Sequence, residues 1–466
     1  MKPATRLLLL PGILSMIALC SAIASSATED YTAQAAPDMI IVAPQRFHAA
    51  VQPLVEHRRS SLSTKVCAIE EILRVNPGVD DPERLKRCLY EGWTKRNLHY
   101  VLLVGDADVL PVRYMVLDRI TAAAHDIAFY PSDLYYADVA KADGEFEDWN
   151  GRRDSFHGGY FGEVRGEKNK DDPINFDQIH YRPELAVGRW PVSTAEEVRR
   201  MVTKTIAFEQ RVATSQGKEG RAGLLAVGGW VDSRDRMDRV ADVLPDSWQI
   251  EKRYYADRRR KGTTAPPSQK EVLQLLNSGL DLLCHAGHGT DTGWANCLSL
   301  NRIDEIDNAA HLPVVISAGC STARFACLPP YEPYVDVHGT EHQGTDAGEV
   351  FHEPPPPPAV YQRGRYNRLG LGEQLLRAGP NGAVAYIGCN TGSQPCGLTL
   401  LEGFAKSWGE ANEPRLGDCW NGAVYHYYDR ERLADLEPTE SWYPPSIFFQ
   451  GMKFMLFGDP ALQLPK

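Results

Sequence analysis

Short runs of consecutive apolar residues alternate along this chain with longer stretches in which apolar positions recur every three or four residues. Met39-Ile40-Ile41-Val42 is the first such run. Apolar on both faces, it predicts a strand buried on both sides. Phe47 to Arg59 then shows helical spacing, Lys65 to Ala68 reads as the next strand, and Pro82 to Lys95 as a helix. Tyr100 to Asp106 is a strong buried strand ending in a turn, and Glu184 to Arg189 returns to strand. Ala195 to Arg211 reads as a helix with Ser193 or Thr194 as its cap. The rhythm restarts near residue 218. Gly223 to Val227, Leu280 to Cys284, Leu312 to Ser317 and Ala383 to Ile387 read as strands. Arg236 to Leu244, Glu271 to Asn277 and Glu373 to Ala378 read as helices, the second stopping at Gly279. Strands alternating with helices predict an α/β fold, a mainly parallel sheet with helices on its faces. With 466 residues the chain suits two such units, residues 38–217 and 218–466.

Two stretches break the rhythm. Residues 139–180 are rich in Asp, Glu, Gly, Asn and Arg. They predict a solvated surface excursion, whose carboxylates would suit a structural calcium ion. Residues 328–368 form an insertion with five consecutive prolines, Pro354 to Pro358. Such a run must be extended, so it is expected to be a loop or flap, placed close enough after Cys320 to act as a lid. Its Asp336, His338, Glu341, His342, His352 and Glu353 follow no metal-ligand spacing. An acidic, solvated flap is the expectation.

The first 24 residues read as a signal peptide. Lys2 and Arg6 supply positive charge, Leu7 to Leu19 is the apolar stretch, and Ala22-Ile23-Ala24 is a cleavage site. A flexible start over residues 25–37 follows. A secreted or periplasmic protein is expected. No later segment is apolar for long enough to insert stably in a membrane. The formal net charge of −11 disfavours nucleic acid as a partner. Of ten cysteines, cleavage would leave nine. An odd number in an exported chain points to a reactive thiol. Cys389 and Cys396 are close enough in sequence to pair, which spacing alone leaves open.

Two strand ends carry the candidate chemistry. Leu282-Leu283-Cys284-His285-Ala286-Gly287-His288-Gly289 is one, and Val314-Val315-Ile316-Ser317-Ala318-Gly319-Cys320-Ser321 is the other. Each is a buried strand followed by small residues and then a reactive side chain. In open parallel sheets, active groups gather beyond the carboxyl ends of the strands. His288 and Cys320 are 32 residues apart, which allows one crossover and brings both to the same edge. A free thiol is only a few per cent ionised at neutral pH, so an imidazole that takes its proton is the partner it needs. N–H groups at Gly289 and Cys320 would face a developing oxyanion. His285 competes with His288 for the role, but only His288 has glycine on both sides.

This order of blocks resembles the caspase-like cysteine peptidases, and more closely the gingipain family. Further matching stretches are Tyr100 to Asp106 with Pro111-Val112-Arg113, Ser132-Asp133-Leu134-Tyr135-Tyr136-Ala137-Asp138, Ala186 to Val192, and Phe457 to Leu462. The resemblance runs from about residue 38 to 464. It implies a caspase-like α/β fold of two adjacent subdomains, each a mainly parallel sheet flanked by helices, the second carrying a catalytic dyad. His288 would be the general acid/base and Cys320 the nucleophile, with Gly289 and Cys320 at the oxyanion-hole positions. Hydrolysis of protein or peptide substrates follows, with no cofactor required for the chemistry. Family members that cleave after Arg or Lys use pocket carboxylates, and here Asp232 or Asp235 would serve. The family's acidic partner for the histidine falls where Gly229 and Trp230 stand. Two other outcomes share the dyad or the fold: transpeptidation by the same acyl-enzyme, and a non-catalytic binding or assembly protein.

Overall fold

The eight predicted strands join Gln249–Tyr254 and Phe454–Phe457, which the pattern left unassigned, in one ten-stranded sheet among the described residues. A computed structural model describes residues 37–117, 127–151, 157–164, 173–215, 219–256, 267–362, 370–441 and 443–466. The expected signal peptide lies outside these residues. The strands are β1 (Met39–Ala43), β2 (Thr64–Ala68), β3 (Tyr100–Val104), β4 (Ala186–Trp190), β5 (Arg221–Ala226), β6 (Gln249–Tyr254), β7 (Leu282–Ala286), β8 (Val314–Ser317), β9 (Ala385–Cys389) and β10 (Phe454–Phe457). Their spatial order is β2-β1-β3-β4-β10-β9-β8-β7-β5-β6. Strands from the first half, β1 to β4, are mutually parallel, and so are β5 to β9 from the second. Thus each half contributes a parallel block, as the alternating pattern predicts.

The blocks meet at β10. It pairs antiparallel with β9, Tyr386 opposite Phe457 and Cys389 opposite Phe454, and parallel with β4 through Phe457 and Arg189. The two blocks therefore run in opposite directions, and their carboxyl ends lie at opposite edges of one sheet. Alternate residues of the strands feed two cores. Ile40, Val42, Val101, Leu224, Cys284 and Ile316 pack on one face, and Ile41, Leu102, Leu225, Leu283, Val315 and Tyr386 on the other. At the outer edge, β6 carries Glu251, Lys252 and Arg253 and is largely solvated. Charges of that kind discourage further pairing.

Helices form where the pattern has a 3.6 period and end where caps stand. Helix α1 is His48–Arg58 and α2 is Ile69–Val75. Asp80 caps α3 (Asp81–Arg96) through the Glu83 N–H, and Thr194 with Glu197 closes a capping box on α4 (Ala195–Thr214). In the second half, α5 is Arg234–Asp242, α6 Gln269–Leu276 and α7 Leu371–Arg377. Three helices the pattern left unassigned follow: α8 (Leu398–Glu410), α9 (Leu416–Arg430) and α10 (Tyr443–Gln450). No helix among the described residues is long and apolar enough to cross a membrane.

The described part of the insertion is bonded along the first half. Pro329 O accepts from the Ala128 and Phe129 N–H groups, Tyr160 Oη donates to Pro355 O, Val112 N–H donates to Val360 O, and Gln362 N–H donates to Ala107 O. The prolines, lacking N–H groups, serve as acceptors here. Within the insertion His342 bridges Asp336 and Glu349 at 3.0 and 2.9 Å, so both ring nitrogens are engaged in ion pairs.

Candidate active site

Cys320 stands on a turn that its neighbours on three sides hold in place. Beyond β8 the chain stays in register for one more residue, the Ala318 N–H donating to His285 O. It then bends at Ser321, whose φ is +57°. That left-handed conformation is uncommon outside glycine. The Ser321 N–H donates to Thr391 O at 2.7 Å and the Ala323 N–H to Cys389 O at 3.0 Å, seating the turn against the end of β9. The half-buried thiol receives a hydrogen bond from the Ser393 N–H at 3.3 Å, and Ser393 O lies 3.8 Å from the sulfur.

His288 follows β7, which is hydrogen-bonded to β8 with His285 opposite Ser317. Its Nε2 lies 2.9 Å from Gly229 O. A carbonyl only accepts, so Nε2 is the donor here, and Nδ1 is the nitrogen left for proton exchange. The orienting partner of the imidazole is thus a main-chain carbonyl, at the place where the family resemblance puts an acid. Gly229 has φ +96°, a conformation that favours glycine, and a Cβ there would meet open space.

The two loops touch. A Cβ on Gly289 would lie 2.7 Å from Cys320 O and 2.9 Å from the Gly319 carbonyl carbon, and one on Gly319 would lie 3.2 Å from the Gly289 nitrogen. Only glycine permits this approach. The Cys320 N–H has no hydrogen-bond partner among the described residues. His285 is different in kind from His288. It is fully buried, bonded through Nδ1 to Ser317 Oγ at 2.9 Å, and burial pulls its pKa down to about 3. It stays neutral and cannot serve as the acid/base.

Asp232 and Asp235 are placed beside this loop but are not equivalent. Arg234 grips both oxygens of Asp232, at 2.8 and 2.6 Å, and its guanidinium lies over the Tyr255 ring at 4.1 Å. These hydrogen bonds hold the Asp232 carboxyl well below the usual carboxylate range. An incoming guanidinium would have to compete with the chain's own. Asp235 is exposed in the first turn of α5.

The long excursion bears on the calcium expectation. Asp138, His180 and Glu184 offer ligand atoms within 4.8 Å of one another. Asp138 Oδ2 accepts from Trp149 Nε1 and the Tyr181 N–H, whereas no hydrogen bond to its buried Oδ1 is found among the described residues. Burial pushes Asp138 up to about 6 and Glu184 up to about 7. A cation would relieve both. Two carboxylates and an imidazole are fewer and softer donors than the six to eight oxygens calcium takes. All nine described cysteines are free, Cys389 and Cys396 among them.

A parallel α/β sheet that presents a thiol and an imidazole from adjacent strand ends defines a caspase-like peptidase architecture. The chain belongs to peptidase family C25, a family of cysteine-type peptidases, whose profile matches residues 32–465. Gingipain R2 of Porphyromonas gingivalis is 20% identical over 293 residues, 62% of this chain and 32% of that protein. Gingipain R1 of the same organism is 22% identical over 154 residues, 32% of this chain and 15% of that protein. The chain therefore spans about a third or less of the length of these relatives. The crystal structure of the Arg-specific cysteine proteinase gingipain R superposes with a TM-score of 0.57 at 16% identity. That match covers 93% of this chain and 79% of that one, and it establishes the shared fold.

Proposed function

We propose that this chain is an exported cysteine endopeptidase working through an acyl-enzyme on Cys320. The observation that carries the reading is the placement of the Cys320 thiol and the His288 imidazole on touching loops at adjacent strand ends, inside a chain of family C25. His288 Nδ1 takes the thiol proton, and the thiolate attacks the scissile carbonyl. The C–N bond breaks as the same imidazole returns the proton to the leaving amine. Water then attacks the thioester, gives a proton to Nδ1, and releases the acid and the thiol. The N–H groups of Gly289 and Cys320 face the oxyanion in both tetrahedral states, each worth about 3 kcal/mol. No cofactor enters these steps. A divalent cation at Asp138, His180 and Glu184 would be structural.

Cleavage after a basic residue is the finer reading. It is supported by the specificity of gingipain R and by the two aspartates beside the His288 loop, and opposed by the pairing of Asp232 with Arg234. The test is a panel of peptide acyloxymethyl ketones ending in Arg, Lys, Asp, Asn or Leu, with the adduct located by mass spectrometry. Labelling of Cys320 that vanishes in His288→Ala is expected. A folded, reduced protein that no probe labels would refute the reading. Preference for a probe other than Arg or Lys would refute the basic specificity alone. Export is tested by sequencing the mature amino terminus, expected after Ala24.

A further inference from the structure

Beneath the Cys320 turn lies a chain of buried polar side chains that the chemistry above does not use. Thr322 Oγ1 donates to Gly319 O at 3.1 Å and lies 3.3 Å from Ser317 Oγ. Ser317 Oγ accepts from the Gly319 N–H at 3.1 Å. His285 Nδ1 meets the same Ser317 oxygen at 2.9 Å. All three side chains are fully buried. The His285 ring is stacked on Trp294, centroids 4.4 Å apart and planes within 7°. Trp294 is in turn the register partner of Gly289, and its Nε1 donates to Tyr386 Oη at 3.2 Å. One framework therefore reaches both loops.

The geometry at Gly319 gives this framework a consequence. Gly319 C=O and the Cys320 N–H belong to one planar trans peptide and point in opposite directions. An oxygen held inward by Thr322 leaves the N–H directed outward, where it has no partner among the described residues. Without the clamp the peptide could rotate, because Gly319 has no Cβ to restrict it. We propose that Thr322, Ser317 and His285 are positioning residues that hold the Gly319–Cys320 peptide plane with its N–H aimed at the substrate oxyanion. This rests on the acyl-enzyme reading. His285 suits the role because a neutral ring can bond Ser317 and stack on Trp294 without bringing a charge into the core.

The test uses a quenched-fluorescence peptide carrying the residue preferred in the probe panel. Thr322→Val keeps the shape and removes the donor. Its kcat is expected to fall ~10- to 100-fold with KM within about twofold, because the misaimed donor acts only in the transition state. Thr322→Ser, which keeps the hydroxyl, is expected to restore kcat. Alkylation of Cys320 by iodoacetamide develops no oxyanion, so its rate should not change in either variant. Ser317→Ala removes a single oxygen atom and should repeat the kcat loss; it decides the matter if Thr322→Val does not fold. Wild-type kcat in both variants would overturn the proposal, and so would an alkylation rate that falls in step with kcat. Turnover surviving in Cys320→Ala would instead overturn the acyl-enzyme reading itself.

Discussion

Replacing Gly289 by alanine tests whether contact between the two loops sets the reactive geometry. The added methyl would sit 2.5 Å from Thr322 Cγ2, 2.7 Å from Cys320 O and 2.9 Å from the Gly319 carbonyl carbon. Ordinary contacts to a Cβ begin near 3.4 Å. The loops must therefore part by roughly half to three-quarters of an ångström, and two of the three obstacles are main chain that no rotamer change can move. Overpacking of this kind costs about 1–3 kcal/mol of stability. A displacement approaching 1 Å at reacting groups costs about a hundredfold in rate. The expected result is a kcat/KM ~100-fold below wild type on the panel-derived peptide. The melting temperature should fall by only about 1–3 °C, since an unfolding entropy of about 2.1 cal/mol/K per residue makes each kcal/mol worth about 1 °C in a chain of this size. Gly379→Ala, where a Cβ meets nothing within 4 Å, is the control and should alter neither quantity. A Gly289→Ala enzyme with wild-type kcat/KM would refute the view that close packing of these loops fixes the dyad.

Three further outcomes follow from buried charge. Arg58 is almost fully buried and bonds both Glu209 and Asp459, tying α1 to α4 and to the end of the chain. Arg58→Ala removes the buried cation between the two carboxylates, leaving Glu209 its contact with His57, and should cost ~3–5 kcal/mol in urea unfolding, whereas an unchanged midpoint would show the network to be neutral. Asp106 and Glu373 are fully buried around Arg377, and burial pushes Asp106 up to about 6 and Glu373 well above the usual range. Both hold protons more tightly folded than unfolded, so stability present at low pH is lost as pH rises through about 6 and beyond. Glu373→Gln should flatten that fall in a melting-temperature series, and an unaltered slope would exclude the pair as its source. At His342 burial pulls the pKa down, but the hydrogen bonds its ring donates to Asp336 and Glu349 outweigh it and raise it. Its contribution is therefore full below the unfolded pKa of about 6.5 and is lost as pH rises through the raised folded value. Amide exchange over residues 334–349 should quicken as pH rises through that window, beyond the intrinsic base-catalysed rise. The excess should be absent in His342→Asn.

Much of this protein is legible in the order of its residues. Runs such as Tyr100 to Val104 and Val314 to Ser317 are buried strands because apolar side chains on both faces leave no other stable placement. Thr194 marks a helix start because its oxygen satisfies an N–H group a few residues away. The small residues before His288 and Cys320 mark tight turns at strand ends for an equally local reason. Elements lacking a local signature were missed. The edge strand Gln249–Tyr254 is half charged, and its pairing with β5 is set by register with a neighbour, not by its own pattern.

What only the folded chain decides is non-local or carried by the backbone. Phe454–Phe457 reads as an apolar run, yet its role as the seam that reverses the sheet depends on which two edges meet. Asp232 looks like a free pocket acid in the sequence, and its neighbour two residues on neutralises it once both side chains are fixed. The partners of the His288 ring and the Cys320 sulfur are the carbonyl of Gly229 and the N–H of Ser393. Every residue has a carbonyl and nearly every residue an N–H, so no letter in the sequence marks the two that the fold brings to His288 and Cys320.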